Sequence, residues 1–258
     1  MPDIAFLEVD KEDQSLIQDR FPSATMHDGV LKDQKLIDAC NDAEAVSCFI
    51  NTHFTKDILG KLPKLKLLCT RSVGYDHIDV AACKDRGITV CNVPDYGSHV
   101  IAEHVFALLL STLRHIPEGH EKVESGTFDY HGLRGMALRG KTIGIVGTGK
   151  IGRRVAEIAH GFGMKILGVD QCRTLEIVDR LGVTYVSLDQ MLSLSDIITL
   201  HVPDTKETEH MINAKAFDQM KDGAVLVNTA RGSLMDSHAL LDALKSGKIA
   251  YALLDVLE

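Results

Sequence analysis

The sequence predicts an α/β protein of two domains, each built around a parallel sheet. Short apolar strands alternate with helical segments over residues 3–93. A strand, a glycine-rich turn, a helix and a second strand then follow one another directly over residues 141–170. The turn sequence PDYG at residues 94–97 separates the two parts. Because strands alternating with helices favour a parallel sheet, we predict domains over residues 1–95 and 96–258.

Composition excludes several functional classes. Among the 258 residues, 45% are hydrophobic and 25% charged, which is typical of a globular protein. The net charge of −8, with no basic cluster, argues against a nucleic-acid partner. The apolar runs are too short to cross a membrane, and the acidic N-terminus does not resemble a signal peptide. The six cysteines are scattered without a C-x-x-C pair, so we expect buried thiols, no metal site and a cytoplasmic protein.

The elements of both domains are predicted from the period of their apolar residues. In the first domain we predict strands at 4–9, 24–27, 45–50, 67–71 and 89–93, and helices at 11–20, 31–41 and 80–86. Residues 59–65 are predicted as a helix or a turn. In the second we predict strands at 142–146, 165–169, 184–186, 196–201, 224–228 and 250–257, and helices at 98–114, 151–162, 215–220 and 236–246. Residues 117–139 are expected to cross the surface. The continuous apolar stripe of helix 98–114 indicates burial between domains or subunits, and hence a homodimer.

The turn GTGKIG, residues 147–152, has the G-x-G-x-x-G spacing of a dinucleotide site. Gly147 would make the tight turn, Gly149 would let the backbone approach a pyrophosphate, and Gly152 would allow close packing of helix on strand. The N–H groups of the helix N-terminus would face the phosphates. Asp170, at the end of the next strand, would accept hydrogen bonds from ribose hydroxyls and repel a 2′-phosphate. A glycine-rich connection in another kind of sheet would not explain Asp170, so we predict a Rossmann-type domain that binds NAD.

Arg231 follows the apolar strand 224–228 in the segment NTARG. Ligands of doubly wound sheets bind at the carboxyl ends of the strands. A guanidinium there is suited to a carboxylate, because its planar fork makes two parallel charge-assisted hydrogen bonds. A surface arginine in a turn is the alternative interpretation.

Five segments together resemble the D-isomer-specific 2-hydroxyacid dehydrogenase family over essentially the whole chain. They are RSVGYDHID at 71–79, NVPDY at 92–96 with AEH at 102–104, the unit from Gly147 to Asp170, HVP at 201–203 with Thr208, and NTARG at 228–232. The tyrosine in the VPDYG segment most resembles the D-lactate dehydrogenase branch.

The resemblance implies a flavodoxin-like substrate domain, an NAD cofactor and a small 2-hydroxy or 2-keto acid as substrate. It implies that the amides of Val73 and Gly74 bind the substrate carboxylate, that Tyr96 closes the pocket and that Arg231 holds the substrate as the catalytic cation. The residues that it implies around the cofactor are Lys150, Ile151, Asp170, Val202, Pro203, Thr208, Thr229, Ala230 and Asp255.

Each position also has a structural alternative when taken by itself. Gly74 could be a turn glycine at the end of a strand. Tyr96 could be a packed residue of the hinge, and Asp255 could be a buried, hydrogen-bonded acid. We expect His201 to be a structural histidine rather than an acid or base.

In the family, the proton comes from a histidine paired with a glutamate, which lies five positions after the residue matching Asp255. Neither residue is among the 258, so we expect a truncated chain. His53, His77 and His201 are conceivable substitutes. The absence leaves open a second class, a non-catalytic NAD(H) sensor or binding module. Hydroxypyruvate reductase, phosphoglycerate dehydrogenase and phosphite dehydrogenase remain alternatives within the first class.

Overall fold

Two parallel sheets organise the chain, one in residues 1–96 and the other in residues 97–258, which form separate compact units. The structure is a computed structural model and describes residues 3–32 and 34–258. All strand pairs in both sheets are parallel. The predicted α/β class and its two parallel sheets are therefore confirmed.

Unit 1 contains a five-stranded sheet in the order β2-β1-β3-β4-β5, the flavodoxin-like order. Its strands are β1 (Ile4–Phe6), β2 (Thr25–Met26), β3 (Ala45–Cys48), β4 (Leu67–Thr70) and β5 (Thr89–Cys91). Its helices are α1 (Gln14–Arg20), α2 (Gln34–Ala39), α3 (Lys56–Gly60) and α4 (Val80–Asp85).

Unit 2 contains a six-stranded sheet in the order β11-β10-β9-β6-β7-β8, the doubly wound order of a Rossmann-type domain. Its strands are β6 (Thr142–Val146), β7 (Lys165–Val169), β8 (Thr184–Tyr185), β9 (Ile197–Leu200), β10 (Ala224–Asn228) and β11 (Ile249–Leu254). Its helices are α5 (Ser98–Leu113), α6 (Ile116–Glu124), α7 (Lys150–Gly161), α8 (Leu175–Leu181), α9 (Leu188–Leu194), α10 (Ala214–Gln219) and α11 (Ser237–Lys245).

The central strands of unit 2 are buried on both faces, as a doubly wound sheet requires. On β10, Val225 and Val227 pack into one apolar cluster, whereas Leu226 between them packs into a second cluster on the opposite face. The first cluster includes residues of α5 and α7, and the second includes residues of α9, α10 and α11. This two-sided burial holds the strand ends rigidly in place.

Several local predictions differ from the structure. The helix or turn predicted at 59–65 overlaps only the end of α3, which ends at Gly60 and begins earlier because the Thr55 side chain accepts the N–H of Ile58. Residues 117–139 include most of α6, which was not predicted; no residue of this helix is buried, so it lacks the apolar face that identifies a helix from sequence. Helices α8 and α9 were not predicted either. Position 33 of the helix predicted at 31–41 lies outside the described residues.

The apolar stripe of α5 has its partner inside unit 2. Val105 and Leu109 are fully buried in the cluster that also contains residues of α7 and β6. Ile101 and Leu108 of the same stripe are only half-buried. The homodimer therefore stays a prediction. Val100 on α5 is 54% exposed, and further along the chain Ile116, Val123, Phe128 and Tyr130 are exposed as well.

The cysteines agree only partly with the prediction of buried thiols. All six are free, and Cys40, Cys48 and Cys83 are buried. Cys91 and Cys172 are exposed, because each lies at or beyond the end of a strand. In the described part of the chain no helix combines the length and apolarity needed to span a bilayer. The same residues include no metal-binding group of three or more His, Cys, Asp or Glu side chains.

Candidate functional site

Most of the predicted site residues of unit 2 follow the carboxyl ends of its strands. Gly147 and Gly149 follow β6, and Asp170 follows β7. Val202 and Pro203 lie after β9, Thr229, Ala230 and Arg231 after β10, and Asp255 after β11. Because the strands are parallel, these segments share one edge of the sheet. The predicted residues are thus on the edge where doubly wound sheets bind ligands.

The three glycines of the turn differ in what surrounds them. Gly147 has φ +90°, and a Cβ atom there would lie 2.5 Å from the carbonyl oxygen of His201. A Cβ atom on Gly152 would collide with the carbonyl oxygen of Gly147. On Gly149, in contrast, a Cβ atom would meet nothing within 4 Å. Gly147 and Gly152 are therefore required by packing within the chain, but Gly149 is not.

The open space at Gly149 fits a pyrophosphate. Gly149 is the N-cap of α7, and it provides no side chain to cap the helix that begins at Lys150. A helix N-terminus attracts an anion through its N–H groups and dipole. The absence of a side chain at Gly149 leaves room for a phosphate to approach that backbone closely. This turn would hold the pyrophosphate of NAD.

The carboxylate of Asp170 is held by backbone and hydroxyl donors. Its Oδ2 atom accepts the N–H of Thr148 at 2.6 Å and the Thr148 hydroxyl at 3.0 Å, and its Oδ1 atom accepts the N–H of Cys172 at 2.9 Å. Partial burial raises the pKa of Asp170, but the hydrogen bonds from Cys172 and Thr148 outweigh it, so the pKa lies below its ordinary value. Asp170 is therefore ionised at neutral pH.

Asn228, at the end of β10, folds the turn that carries Arg231. Its fully buried side chain donates from Nδ2 to the carbonyl of Arg231 at 2.7 Å and accepts the N–H of Ala230 at 3.0 Å. The Arg231 guanidinium donates to the Ala230 carbonyl at 2.7 Å. In the same turn, the buried hydroxyl of Thr229 has no hydrogen-bond partner among the described residues. A buried unpaired hydroxyl is costly, so it suits a polar ligand group.

The segment after β9 is shaped by Thr208. Its hydroxyl donates to the Pro203 carbonyl at 2.7 Å and accepts the N–H of Thr205 at 2.9 Å. Thr208 therefore fixes the loop that follows Val202 and Pro203. Val202 itself lies beside Gly147, since a Cβ atom on that glycine would approach a Val202 methyl to 3.0 Å.

His201 is a neutral residue beside the turn. Its Nε2 atom lies 2.9 Å from the Thr199 hydroxyl, and desolvation by burial lowers the pKa of His201 to about 4. It is therefore unprotonated at neutral pH and cannot serve there as a proton donor. This agrees with the structural role expected from the sequence.

Asp255 is about half exposed and lies beside a second histidine. Its Oδ1 atom is 3.5 Å from Nε2 of His104, a residue of the AEH segment on α5. Its backbone N–H donates to the carbonyl of Asn228 at 3.0 Å, which attaches it to the Arg231 turn. The alternative of a buried acid is therefore wrong.

In unit 1, Val73 and Gly74 lie in the loop after β4. The Asn92 side chain donates to the Val73 carbonyl at 2.8 Å, and the Ser72 hydroxyl donates to the Gly74 carbonyl at 2.7 Å. Both carbonyls are thus engaged, an arrangement that suits a loop presenting N–H groups to an anion. Tyr96, the last residue of unit 1, is 55% exposed.

A cavity of about 610 Å³ lies at the opposite edge of the second sheet. It is lined at the amino ends of β6 and β7, by Thr142 and Lys165 among others. None of the predicted site residues lines it. The candidate site is therefore identified by its glycine turn and hydrogen bonds rather than by an enclosed cavity.

Comparisons with known proteins agree with this geometry. Residues 106–258 match the family model described as D-isomer specific 2-hydroxyacid dehydrogenase, NAD binding domain. A 2-hydroxyacid dehydrogenase homolog of Haemophilus influenzae is 41% identical over 217 residues, or 83% of this chain and 65% of the relative. A glyoxylate reductase of Pyrococcus furiosus is 41% identical over 232 residues, or 87% of this chain and 69% of the relative.

Among solved structures, D-lactate dehydrogenase of Aquifex aeolicus in complex with NAD and lactic acid superimposes with a TM-score of 0.94 at 39% identity. The match covers 99% of this chain and 77% of that one. The chain spans about two thirds of the length of the curated relatives that it matches. It belongs to the D-isomer-specific 2-hydroxyacid dehydrogenases, a family of NAD-dependent oxidoreductases, and the cofactor of its second unit is NAD.

Sequence reasoning missed residues that act through hydrogen bonds rather than through a motif position. Thr148 lies inside the glycine turn and holds Asp170, and Asn228 precedes Arg231 and shapes its turn. Tyr185, on β8, contacts Thr148. Asn228 could have been identified from the sequence, because an asparagine at the end of an apolar strand is a signal for a side chain that shapes the following turn. Tyr185 could not, because its contact with Thr148 depends on the order of the strands in the sheet.

The neutral state of His201 predicts a pH dependence of stability. The unfolded chain takes up a proton near pH 6.5, but the folded ring remains neutral to about pH 4. The unfolded state therefore binds more protons across this window, and the free energy of unfolding falls as the pH is lowered through it. At pH 5 the loss attributable to His201 is about 2 kcal/mol.

The free energy of unfolding of His201→Asn can be measured in urea at pH 7 and at pH 5. Between these two pH values it should fall by about 2 kcal/mol less than that of the wild type. His99→Asn, at an exposed position on α5, should behave as the wild type does. Equal losses in the wild type and His201→Asn would show that His201 titrates normally in the folded state.

Proposed function

We propose that the protein interconverts a small D-2-hydroxy acid and the corresponding 2-keto acid, with D-lactate and pyruvate favoured. The observation that carries this proposal is the position of Arg231. It lies at the carboxyl end of β10, on the unit that binds NAD and next to Thr229 and Ala230. A cation held there is suited to a substrate that carries a carboxylate beside the reacting carbonyl.

In this proposal, Arg231 has two tasks. Its guanidinium binds the substrate carboxylate through charge-assisted hydrogen bonds and stabilises the negative charge that develops on the carbonyl oxygen. The bound NAD supplies or accepts the hydride. Asn228 contributes by fixing the turn, since its side chain bonds both Ala230 and the Arg231 carbonyl. A preorganised cation stabilises charge without reorganising during the reaction.

The other predicted residues take roles that their surroundings support. Val73 and Gly74 would present N–H groups to the carboxylate, and Tyr96 would cover the substrate. Lys150 and Ile151 would lie at the pyrophosphate, with Asp170 at the adenosine ribose. The residues proposed for the rest of the cofactor are Val202, Pro203, Thr208, Thr229, Ala230 and Asp255.

The preference for D-lactate and pyruvate is supported by similarity. The D-lactate dehydrogenase solved with lactic acid is 39% identical and matches 99% of this chain. The glyoxylate reductase is 41% identical and matches 87% of it. Both names point to small 2-keto acids. Assays with pyruvate, glyoxylate and hydroxypyruvate would rank the substrates.

We also propose a homodimer, in the cytoplasm. Support comes from four exposed apolar side chains on α6 and the segment after it: Ile116, Val123, Phe128 and Tyr130, which are 60%, 60%, 100% and 79% exposed. Fully exposed aromatic side chains favour contact with another protein surface. Light scattering should give twice the chain mass for the wild type and a smaller mass for Phe128→Asp. A monomeric wild type would refute the dimer.

Substituting Arg231 tests the proposed chemistry. In the natural protein, Arg231→Gln should lower kcat/KM for pyruvate reduction at least about 100-fold, because it removes both the carboxylate anchor and the stabilising charge. The affinity for NADH, measured by calorimetry, should stay within about twofold of the wild type. Arg180→Gln, on the exposed face of α8, is the matched control and should change neither quantity.

Two outcomes would contradict the proposal. Full turnover by Arg231→Gln would exclude the proposed role of Arg231. A wild type that binds NADH but reduces no 2-keto acid would favour a sensor rather than an enzyme.

A further inference from the structure

The hydroxyl of Tyr185 lies in a hydrogen-bond path that ends at Asp170. Tyr185 is on β8, the edge strand of the second sheet. Its hydroxyl accepts the backbone N–H of Thr174 at 3.1 Å and lies 2.8 Å from the hydroxyl of Thr148. The Thr148 hydroxyl is in turn 3.0 Å from Asp170 Oδ2. The path thus connects a residue on the edge strand with the acid that follows β7.

The protons along this path point in one direction. An ionised carboxylate only accepts hydrogen bonds, so the Thr148 hydroxyl must donate its single proton to Asp170. It therefore accepts at its other contact, where Tyr185 is the donor. The order is Thr174 N–H to Tyr185, Tyr185 to Thr148, and Thr148 to Asp170. Hydrogen bonds arranged head to tail polarise and strengthen one another.

The ring of Tyr185 is fixed independently of its hydroxyl. It packs against Gly168 of β7, where a Cβ atom would lie only 3.1 Å from a ring carbon. The guanidinium of Arg173 lies over the ring, 5.9 Å from its centroid. Ring packing therefore places the hydroxyl, and a phenylalanine could occupy the same position.

Arg153 on α7 braces the same network. Its Nε atom donates to the Thr148 carbonyl at 3.2 Å, and its terminal nitrogen donates to the Thr174 hydroxyl at 3.0 Å. The two residues that contact the Tyr185 hydroxyl are thereby linked to each other. Thr148, whose N–H and hydroxyl both donate to Asp170, is therefore held in place by Arg153 as well as by Tyr185.

We propose that Tyr185 is a positioning residue for NAD: through Thr148, its hydroxyl orients Asp170 to accept hydrogen bonds from the adenosine ribose, and so contributes to the preference for NAD over NADP. The inference rests on the proposed contact between Asp170 and the ribose. Tyr185 does not itself need to touch the cofactor. Its effect should appear in cofactor affinity and selectivity rather than in the chemical step.

Tyr185→Phe removes the donor and keeps the ring. Losing one hydrogen bond of ordinary net strength should raise the Kd for NADH, measured by calorimetry on the natural protein, about 3–10-fold. The Kd for NADPH should rise less, because Asp170 opposes the 2′-phosphate, so the ratio of the two affinities should fall. The kcat at saturating NADH should stay at the wild-type value. Tyr251→Phe, at a partly buried position on β11, is the matched control and should leave both affinities unchanged.

Thr148→Val interrupts the same path at its next member and should produce a similar loss of NADH affinity. Both substitutions break the same path, so the Kd of the double variant for NADH should be close to the higher of the two single-variant values. If the two fold-increases in Kd multiply in the double variant, the effects are independent and the proposal is overturned. Unchanged NADH affinity in Tyr185→Phe would overturn it as well.

A merely structural role would affect NADH and NADPH equally, so an equal loss of both affinities in Tyr185→Phe would also overturn the proposal. Asp170→Ser distinguishes failure of this inference from failure of the ribose contact. If that variant retains the wild-type preference for NADH, the ribose contact itself is wrong. If it loses the preference while Tyr185→Phe behaves as wild type, only the role of Tyr185 is wrong.

Discussion

The common direction of the strands in the second sheet is the constraint on which the site depends. Because every strand pair is parallel, the segments after β6, β7, β9, β10 and β11 all begin at one edge. The order of the strands reverses between β6 and β9, so their following loops diverge and leave a crevice for a ligand. The Gly147 turn follows one of these two strands and Val202 follows the other. Residues far apart in sequence thereby contribute to one ligand site.

Much of the second unit could be predicted because its signals are local. The glycine turn, the apolar strands around it and Asp170 lie within one continuous stretch. Gly147 and Gly152 are required by contacts inside the chain, with the His201 and Gly147 carbonyls respectively. Such close approaches leave a clear mark in a single sequence. Arg231 was identifiable because it directly follows an apolar strand, and strand ends carry ligands in this fold.

Other features depend on contacts that no local pattern reveals. The bond between Tyr185 and Thr148 exists because β8 lies next to β7, and strand order cannot be read from apolar periodicity. Val105 and Leu109 of the apolar stripe on α5 are buried, and they pack into the core of unit 2, which apolar periodicity alone does not identify. Helix α6 was missed because glycine, proline and charged residues dominate its sequence. In each case tertiary contacts decided the outcome.

The most direct test of the central claim is the affinity of Gly149→Ala for NADH, measured together with its stability to urea. A Cβ atom at Gly149 meets nothing within the described residues, so Gly149→Ala should remain folded, with a urea midpoint only slightly below that of the wild type. Gly161→Ala, at the other end of α7 and also with open space around it, is the matched control and should keep the wild-type NADH affinity. The added methyl group would occupy the space needed by the pyrophosphate, and NADH affinity should fall at least about tenfold. A Gly149→Ala protein that binds NADH as tightly as the wild type would contradict this account of the site.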